Sequence, residues 1–226
     1  MLDRAGVAEH SFHASTDAGL LKSKTLPGDS TAKLIFDRVF ALLFLIAFGP
    51  LIALIALLVR LDSPGPIFFK QKRFGVHDSI ISVTKFRTMY HGKGDLTGGK
   101  QATKGDQRVT RIGRILRRTC MDELPQFWDV LCGRMSLVGP RPHPTGMTIG
   151  DDLAYHVVQG YMDRHRARPG ITGLAQVNGY RGPVTDIAIC QKRIDYDNSY
   201  IETWSLWMDV KILFRTAFVI FQKGSY

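Results

Sequence analysis

The chain is poor in cysteine: Cys120, Cys132 and Cys190 are widely spaced, with no C-x-x-C pair and no histidine at zinc-finger spacing. Neither a disulfide framework nor a structural metal is indicated, and a reducing compartment is the default. Acidic residues are also scarce, 20 against 30 lysines and arginines, which leaves a net charge of +10 and a pI near 9.7. That excess suits anionic headgroups, phosphorylated substrates or nucleic acid equally well. A nucleic-acid reader pairs its cations with a recognisable reading module, and none is present, so no nucleic-acid partner is expected. A membrane-tethered basic scaffold or nucleic-acid binder is the alternative to an enzyme. The start carries no secretory signal, because the apolar run begins only at residue 39, exceeds an h-region in length and lacks a small-residue cleavage site. Nothing marks a second folded domain within 226 residues.

Only one long hydrophobic run is present, the 21 uncharged residues from Val39 to Val59, with Gly49-Pro50 near its middle. A straight helix of that length measures about 31 Å, enough for a hydrocarbon core of about 30 Å. Pro50 removes a backbone donor and crowds the carbonyl of Ile46, so the midpoint is a place to kink. Basic residues stand on both sides: Lys22, Lys24, Lys33 and Arg38 before, and Arg60, Lys70, Lys72, Arg73, Lys85 and Arg87 after. The positive-inside rule puts both flanks in the cytoplasm, which only a hairpin allows. A single kinked span is the other reading of the same composition.

Residues 1–32 are rich in Ser, Thr, Gly, Ala and His without periodicity and read as a flexible tail. Ser63-Pro64-Gly65-Pro66 closes the apolar segment as a turn. Ile67-Phe68-Phe69 and Ile80-Ile81-Ser82-Val83 read as short strands around the Gly75–Asp78 turn. Gly94-x-x-x-x-Gly99-Lys100 imitates a P-loop, but Gln101 stands where Ser or Thr should meet magnesium, and a surface loop is expected. Arg108 to Leu131 is helical in pattern, with Val109, Ile112, Ile115 and Leu116 on one face and Arg111, Arg114, Arg117 and Arg118 largely on another. Leu206 to Phe221 sets Asp209, Lys211 and Arg215 against Trp207, Ile212, Leu213, Phe218 and Val219. Both amphipathic stretches suit a membrane interface; a solvated face on a core helix is the plainer reading of the first.

Asp122 and Glu123 adjoin an Arg-rich turn and precede Leu124-Pro125. Two neighbouring carboxylates can share one metal or divide the roles of attacking group and ion holder. Alone, such a pair is more often a solvated helix start. Its context decides. Lys85-Phe86-Arg87-Thr88-Met89, Met121 to Gln126, Met135 to Pro142 and Arg168-Pro169-Gly170-Ile171-Thr172-Gly173 occur together and in this order. From about Lys33 to the C-terminus the chain resembles the bacterial sugar transferases known as monotopic polyprenyl-phosphate phosphoglycosyl transferases.

The resemblance implies transfer of a sugar-1-phosphate from a UDP-sugar to a polyprenyl phosphate such as undecaprenyl phosphate, with release of UMP. Carried over residue by residue, Asp122 is the nucleophile that forms an aspartyl phosphosugar, Glu123 holds Mg²⁺, and Arg117 sits at the phosphates. Phosphoryl transfer relies on positioning and charge neutralisation, so Lys85, Arg87 and Arg141 are further phosphate-binding candidates; Arg141 lies between two prolines that restrict its backbone. The family expects a re-entrant membrane helix broken by proline, which favours the hairpin reading of Gly49-Pro50. Pro140 to His143, Gly173 to Gly182 and Trp204 to Trp207 resemble the subgroup that starts exopolysaccharide or capsule chains with glucose-1-phosphate or galactose-1-phosphate. Members of that subgroup often carry extra N-terminal membrane helices and a further domain, and the chain resembles their minimal catalytic form. Leu174 replaces a tryptophan common there. His143, Gln176, Asn178 and Arg181 are candidates for the sugar or nucleotide pocket.

The expected architecture is α+β and mainly helical: a tail over 1–32, a re-entrant helical hairpin over 33–62 and a small cytoplasmic catalytic domain with interfacial amphipathic helices over 63–226. It would sit on the cytoplasmic face of a bacterial inner membrane, touching membrane lipids and downstream glycosyltransferases, with a homodimer supported by the apolar hairpin and last helix.

Overall fold

The computed structural model describes residues 26–96, 103, 105–182, 184 and 186–222, the side chains only to residue 219. Most of the expected tail and of the P-loop-like segment lies outside the described residues. Where the tail reading meets the structure, at residues 26–30, the chain is already part of the fold: Leu26 packs on the core and the carbonyl of Gly28 accepts a bond from Arg168 at 2.7 Å.

Helix α1 runs over Thr31–Asp62, capped by Ser30, whose hydroxyl accepts from the amide of Lys33 at 3.2 Å. It ends at Ser63, held extended by Pro64. Gly49-Pro50 does not divide α1 into two elements. Both halves nevertheless dock on the same globular unit. Ala41 joins a core with Val130, Met135 and Leu137, and Ile55 and Val59 pack with Phe86 and Leu116. Its outer face is apolar and exposed, including Val39, Leu43, Ile46, Leu57 and Leu61. Among the described residues α1 is the one helix long and apolar enough to cross a membrane.

Strands β1 (Phe68–Phe74) and β2 (Ile80–Phe86) form an antiparallel hairpin in which Lys70 faces Thr84. Both strands are longer than their apolar cores suggest, because Lys70 to Arg73 and Thr84-Lys85 continue the ladder with polar side chains. The helix expected over Arg108–Leu131 is interrupted. Helix α2 covers only Arg111–Arg118, a 3-10 turn covers Met121–Glu123, and α3 covers Gln126–Leu131. The interruption has a local cause: Cys120 lies at φ 57°, in the left-handed region, and Pro125 has no amide to continue a helix. Two caps hold the start of α2, the Thr110 hydroxyl on Gly113 N at 3.0 Å and the Asp62 carboxylate on Ile112 N at 3.1 Å.

Strands β3 (Ser136–Val138) and β6 (Gly170–Thr172) pair in parallel. A Cβ on Gly170 would collide with the backbone of Gly139, so this pairing requires glycine. Between them lie the small hairpin β4 (Thr148–Ile149) and β5 (Asp152–Leu153) and helix α4 (Ala154–Val157). Then follow α5 (Leu174–Val177), α6 (Ile187–Thr203) and α7 (Leu206–Gln222). The architecture is mixed helix and sheet with helices predominant.

Helix α7 matches its expected span, and Ile212 is buried while Lys211 and Arg215 are exposed as expected, but its acidic residue and its aromatics are not where that reading put them. Asp209, read as part of the polar face, is fully buried, whereas Trp207, Phe214 and Phe218 are 64%, 72% and 70% exposed. Lys33, counted as a flanking cation, is buried too: its Nζ lies 2.7 Å from Asp209 and 3.6 Å from Asp37. Asp37 in turn accepts from Ser136 Oγ at 2.6 Å, and Asp209 from Tyr200 Oη at 2.7 Å and Trp204 Nε1 at 3.1 Å. Buried charges persist only when paired and hydrogen-bonded. Here they join α1, β3, α6 and α7.

Candidate active site

The 3-10 turn after Cys120 thrusts Asp122 and Glu123 into a cavity of about 1170 Å³. Its walls come from the β1–β2 hairpin, the segment after β2, the loop Arg141–Pro144, α5, α6 and α7. From behind, buried Asp129 of α3 braces the turn, accepting from the amide of Thr84 in β2 at 2.8 Å and from Arg134 at 2.6 Å.

The two carboxylates have different surroundings. Glu123 is clamped: Lys85 Nζ donates to Oε1 at 2.6 Å, and Arg141 donates to Oε1 at 2.5 Å and Oε2 at 3.2 Å. Burial alone would raise its pKa, but the two cations outweigh that and hold it well below the usual carboxylate range. Asp122 has Lys85 only at 4.0 Å. Burial pushes its pKa up, against the pull of Lys85, and the neighbouring Glu123 pushes the same way. The result is one spoken-for anion beside one held in reserve. Arg141, facing Glu123, is correspondingly raised.

Lys85, Arg117 and Arg141 are brought to the dyad together. Arg117 Nε donates to the hydroxyl of buried Thr88 at 2.8 Å, which aims the guanidinium along the cavity wall. Arg87 does not join them. It is buried and donates to the carbonyls of Ser63 at 2.6 Å, Pro64 at 2.5 Å and Val59 at 3.3 Å, so it caps the C-terminus of α1. The chain leaves β2 at Phe86 and the tasks part: Lys85 reaches the dyad, Arg87 the end of α1 and Thr88 the side chain of Arg117.

Among the pocket candidates, His143 is buried at the wall, with Nδ1 2.8 Å from Tyr161 Oη. Burial, then the charges of Arg164, Arg193, Arg73 and Arg141, keep it neutral. Gln176 lines the cavity; its Nε2 donates to the carbonyl of Ile171 at 3.2 Å and its Oε1 is buried without a partner. Arg181 reaches Cys120 Sγ at 3.4 Å. Asn178 is elsewhere, donating to the carbonyl of Leu174 at 2.8 Å and accepting from Arg215 at 3.1 Å at the end of α5. Gly49 and Pro50 lie on α1, away from the cavity lining.

Sequence reasoning passed over Arg73 and Arg193, which also line the cavity. The first was counted only as a flanking cation, although its place in a strand was legible; nothing local distinguishes the second. Among the described residues no group of three or more His, Cys, Asp or Glu side chains is placed to hold a metal.

Comparison with known proteins agrees with these motifs. The bacterial sugar transferase family matches residues 28–223. The undecaprenyl-phosphate glucose phosphotransferase of Komagataeibacter xylinus is 47% identical over 189 residues, 83% of this chain and 35% of its own length. The UDP-glucose:undecaprenyl-phosphate glucose-1-phosphate transferase of Escherichia coli (strain K12) is 46% identical over 191 residues, 84% of this chain and 40% of its own length. The exopolysaccharide production protein PSS of Rhizobium leguminosarum bv. phaseoli is 45% identical over 196 residues, 87% of this chain and 98% of its own length. The chain thus spans well under half of the first two relatives and nearly all of the third. With the match running from before α1 to the end of α7 and taking in the dyad, the chain belongs to the bacterial sugar transferase family.

Proposed function

We propose that the protein is a phosphoglycosyl transferase that moves hexose-1-phosphate, glucose first and galactose next, from a UDP-sugar to undecaprenyl phosphate. The observation that carries this reading is the asymmetry of Asp122 and Glu123. An attacking carboxylate needs its lone pairs uncommitted, and among the described residues Asp122 has no cation closer than 4.0 Å while Glu123 is clamped by two.

In the first step an Oδ of Asp122 attacks the phosphorus bearing the sugar. The bond from that phosphorus to the bridging oxygen breaks, and its electron pair leaves with UMP. In the second, an oxygen of the lipid phosphate attacks the same phosphorus and displaces Asp122 as a free carboxylate, giving the polyprenyl diphosphate sugar. Lys85, Arg117 and Arg141 offset the repulsion between carboxylate and diphosphate, and Arg141 has the planar fork suited to two phosphate oxygens.

Mg²⁺ fits this donor set in one form. Magnesium is commonly held by one or two carboxylates with substrate phosphates and waters supplying the rest, and Glu123 gives one. Glu123 would hold it, exchanging a contact with Lys85 or Arg141 as those cations turn to the phosphates. When bound, the ion would neutralise charge between carboxylate and diphosphate.

The apolar faces of α1 and α7 support attachment to the membrane, with the catalytic unit on the cytoplasmic face of the inner membrane. Docking of both halves of α1 on one unit supports a helix that enters and returns. A cysteine reporter before Lys33 and one after Arg60 should then be equally shielded from periplasmic reagents; opposite accessibility restores a single span.

The decisive experiment incubates the full chain in membranes or nanodiscs with labelled UDP-hexoses. UMP release, a phosphohexose adduct on Asp122 by mass spectrometry and organic-soluble product on adding undecaprenyl phosphate are expected. Turnover without an adduct on Asp122, or near-normal UMP release by Asp122→Asn, removes it as nucleophile.

A further inference from the structure

We propose that Arg73 of β1 and Arg193 of α6 form a second phosphate subsite beside Arg141, and that it receives the phosphate departing with the nucleotide. The inference rests on the reaction proposed above and names the residues that stabilise its leaving group.

Four guanidiniums crowd buried His143: Arg164, Arg193, Arg73 and Arg141. Two have carboxylate partners, Arg164 with Asp197 at 2.6 Å and Arg141 with Glu123 at 2.5 Å. Arg73 and Arg193 make no ion pair among the described residues. Arg73 donates to the Pro142 carbonyl at 2.5 Å and to Gln71 Oε1 at 2.6 Å, and Arg193 to the Gly182 carbonyl at 3.0 Å. All these acceptors are neutral, and the Nε of each arginine is out of solvent without a partner. Arg193 is only 4% exposed.

Buried charge without a counterion is costly. Its cost is visible here: burial and then the charge of Arg141 lower both Arg73 and Arg193 to about 10. Both line the cavity and both feel the charge of Arg141, so an anion set beside Arg141 acts on both. The surplus of two cations matches a phosphomonoester, which carries about two negative charges near neutral pH. Sugar hydroxyls offer no such compensation.

Position decides which phosphate is meant. Lys85 and Arg141 touch the carboxylates, so they serve the phosphorus under attack. Arg73 and Arg193 touch neither carboxylate, yet Arg73 bonds the residue after Arg141. A diphosphate set at Arg141 extends its second phosphate toward them. As the bridging P–O bond breaks, the electron pair gathers on UMP, where two guanidiniums stabilise it.

Lipid phosphate shares this chemistry, so the test carries arms for both sources. Binding of UMP, uridine and a short-chain polyprenyl phosphate is measured by calorimetry on the full chain in nanodiscs, for the wild type, Arg73→Gln and Arg193→Gln. Each variant should weaken UMP about 10-fold, the loss of one charge-assisted contact, and leave uridine and the lipid phosphate unchanged. UMP affinity within twofold of wild type in both variants, or weakening confined to the lipid phosphate, overturns the subsite. Should Arg193→Gln melt below the assay temperature, Arg73→Gln on its half-buried strand decides alone. A wild type that forms the Asp122 adduct while both variants keep UMP affinity rejects the subsite only. A wild type that neither forms the adduct nor binds UMP rejects the parent reaction as well.

Discussion

Lys33 Nζ lies 2.7 Å from Asp209 Oδ2, joining residues 176 apart in the chain and fastening the first turns of α1 and α7 to each other inside the protein. Both side chains are almost wholly buried. These two helices, whose outer faces are apolar and exposed, are therefore anchored to the rest of the fold by charge as well as by apolar contact, and the anchor reaches β3 through Asp37 and Ser136.

Removing one member strands the others. Lys33→Ala should destabilise the fold by about 3–5 kcal/mol, the cost of breaking a buried pair, whereas Lys33→Arg, which keeps a cation beside Asp37 and Asp209, should cost less. Thermal unfolding of purified protein in detergent reads the difference. Equal melting temperatures for wild type and Lys33→Ala would show that the pair is not coupled to folding.

The dyad predicts opposite stability changes for two conservative variants. Asp122 has a raised folded pKa, so its charge costs the folded state increasingly as pH rises from the ordinary carboxylate value, and in full once pH exceeds the folded value. Asp122→Asn should then raise the melting temperature at pH 7 while abolishing transfer, and the gain should vanish below about pH 4. Glu123 is depressed, so its stabilisation is complete above the ordinary carboxylate pKa and is lost as pH falls through the folded value. Glu123→Gln should lower stability at pH 7 by about 1.5–3 kcal/mol, the worth of hydrogen bonds to a charged group, at about 2–4 °C per kcal/mol for a chain of this size. Melting curves from pH 3 to pH 8 check both signs.

Thr88 aims Arg117 and should affect turnover more than binding. Thr88→Val removes the acceptor of the Arg117 Nε–H bond at 2.8 Å and should reduce kcat about 10-fold, less than the about 100-fold lost with a well-placed donor itself, because Arg117 stays and loses only its aim. Thr88→Ser should restore most of the rate. A change in thermal stability alone, with kcat intact, would count against the positioning role.

The outward aromatic face of α7 should lie in lipid. A single cysteine at Phe214, in a background free of the three native cysteines, should react slowly with a water-soluble maleimide in vesicles and quickly in detergent. Equal rates would place this face in water. Trp207→Ser with Phe218→Ser should loosen membrane attachment without disturbing buried Ile212.

The site was partly readable beforehand. Lys85, Arg117, Arg141, Asp122 and Glu123 were identified by motif and do meet at one cavity. Arg87, in the same motif as Lys85, spends its guanidinium on three carbonyls at the end of α1, and Asn178 finishes α5. Residue type shows what a side chain can donate, not which acceptor the fold puts within reach. The helix read over Arg108–Leu131 failed for a related reason. Periodicity averages over turns and does not register one left-handed residue, Cys120, yet that residue makes the turn that presents Asp122.

By itself the sequence determined the apolar helix, the turn at Pro64, the span of α7 and the motif that carries the dyad, because each depends on spacing along the chain or on a residue's own backbone limits. Only the tertiary structure decided that Asp209 and Lys33 are buried together, that α7 shows its aromatics outward, that Glu123 is clamped while Asp122 is kept apart, and that Arg73 and Arg193 face the cavity with no ion pair among the described residues. Those outcomes depend on distances between segments far apart in the chain. Electrostatic energy follows distance and burial, which come into being only when the chain has packed.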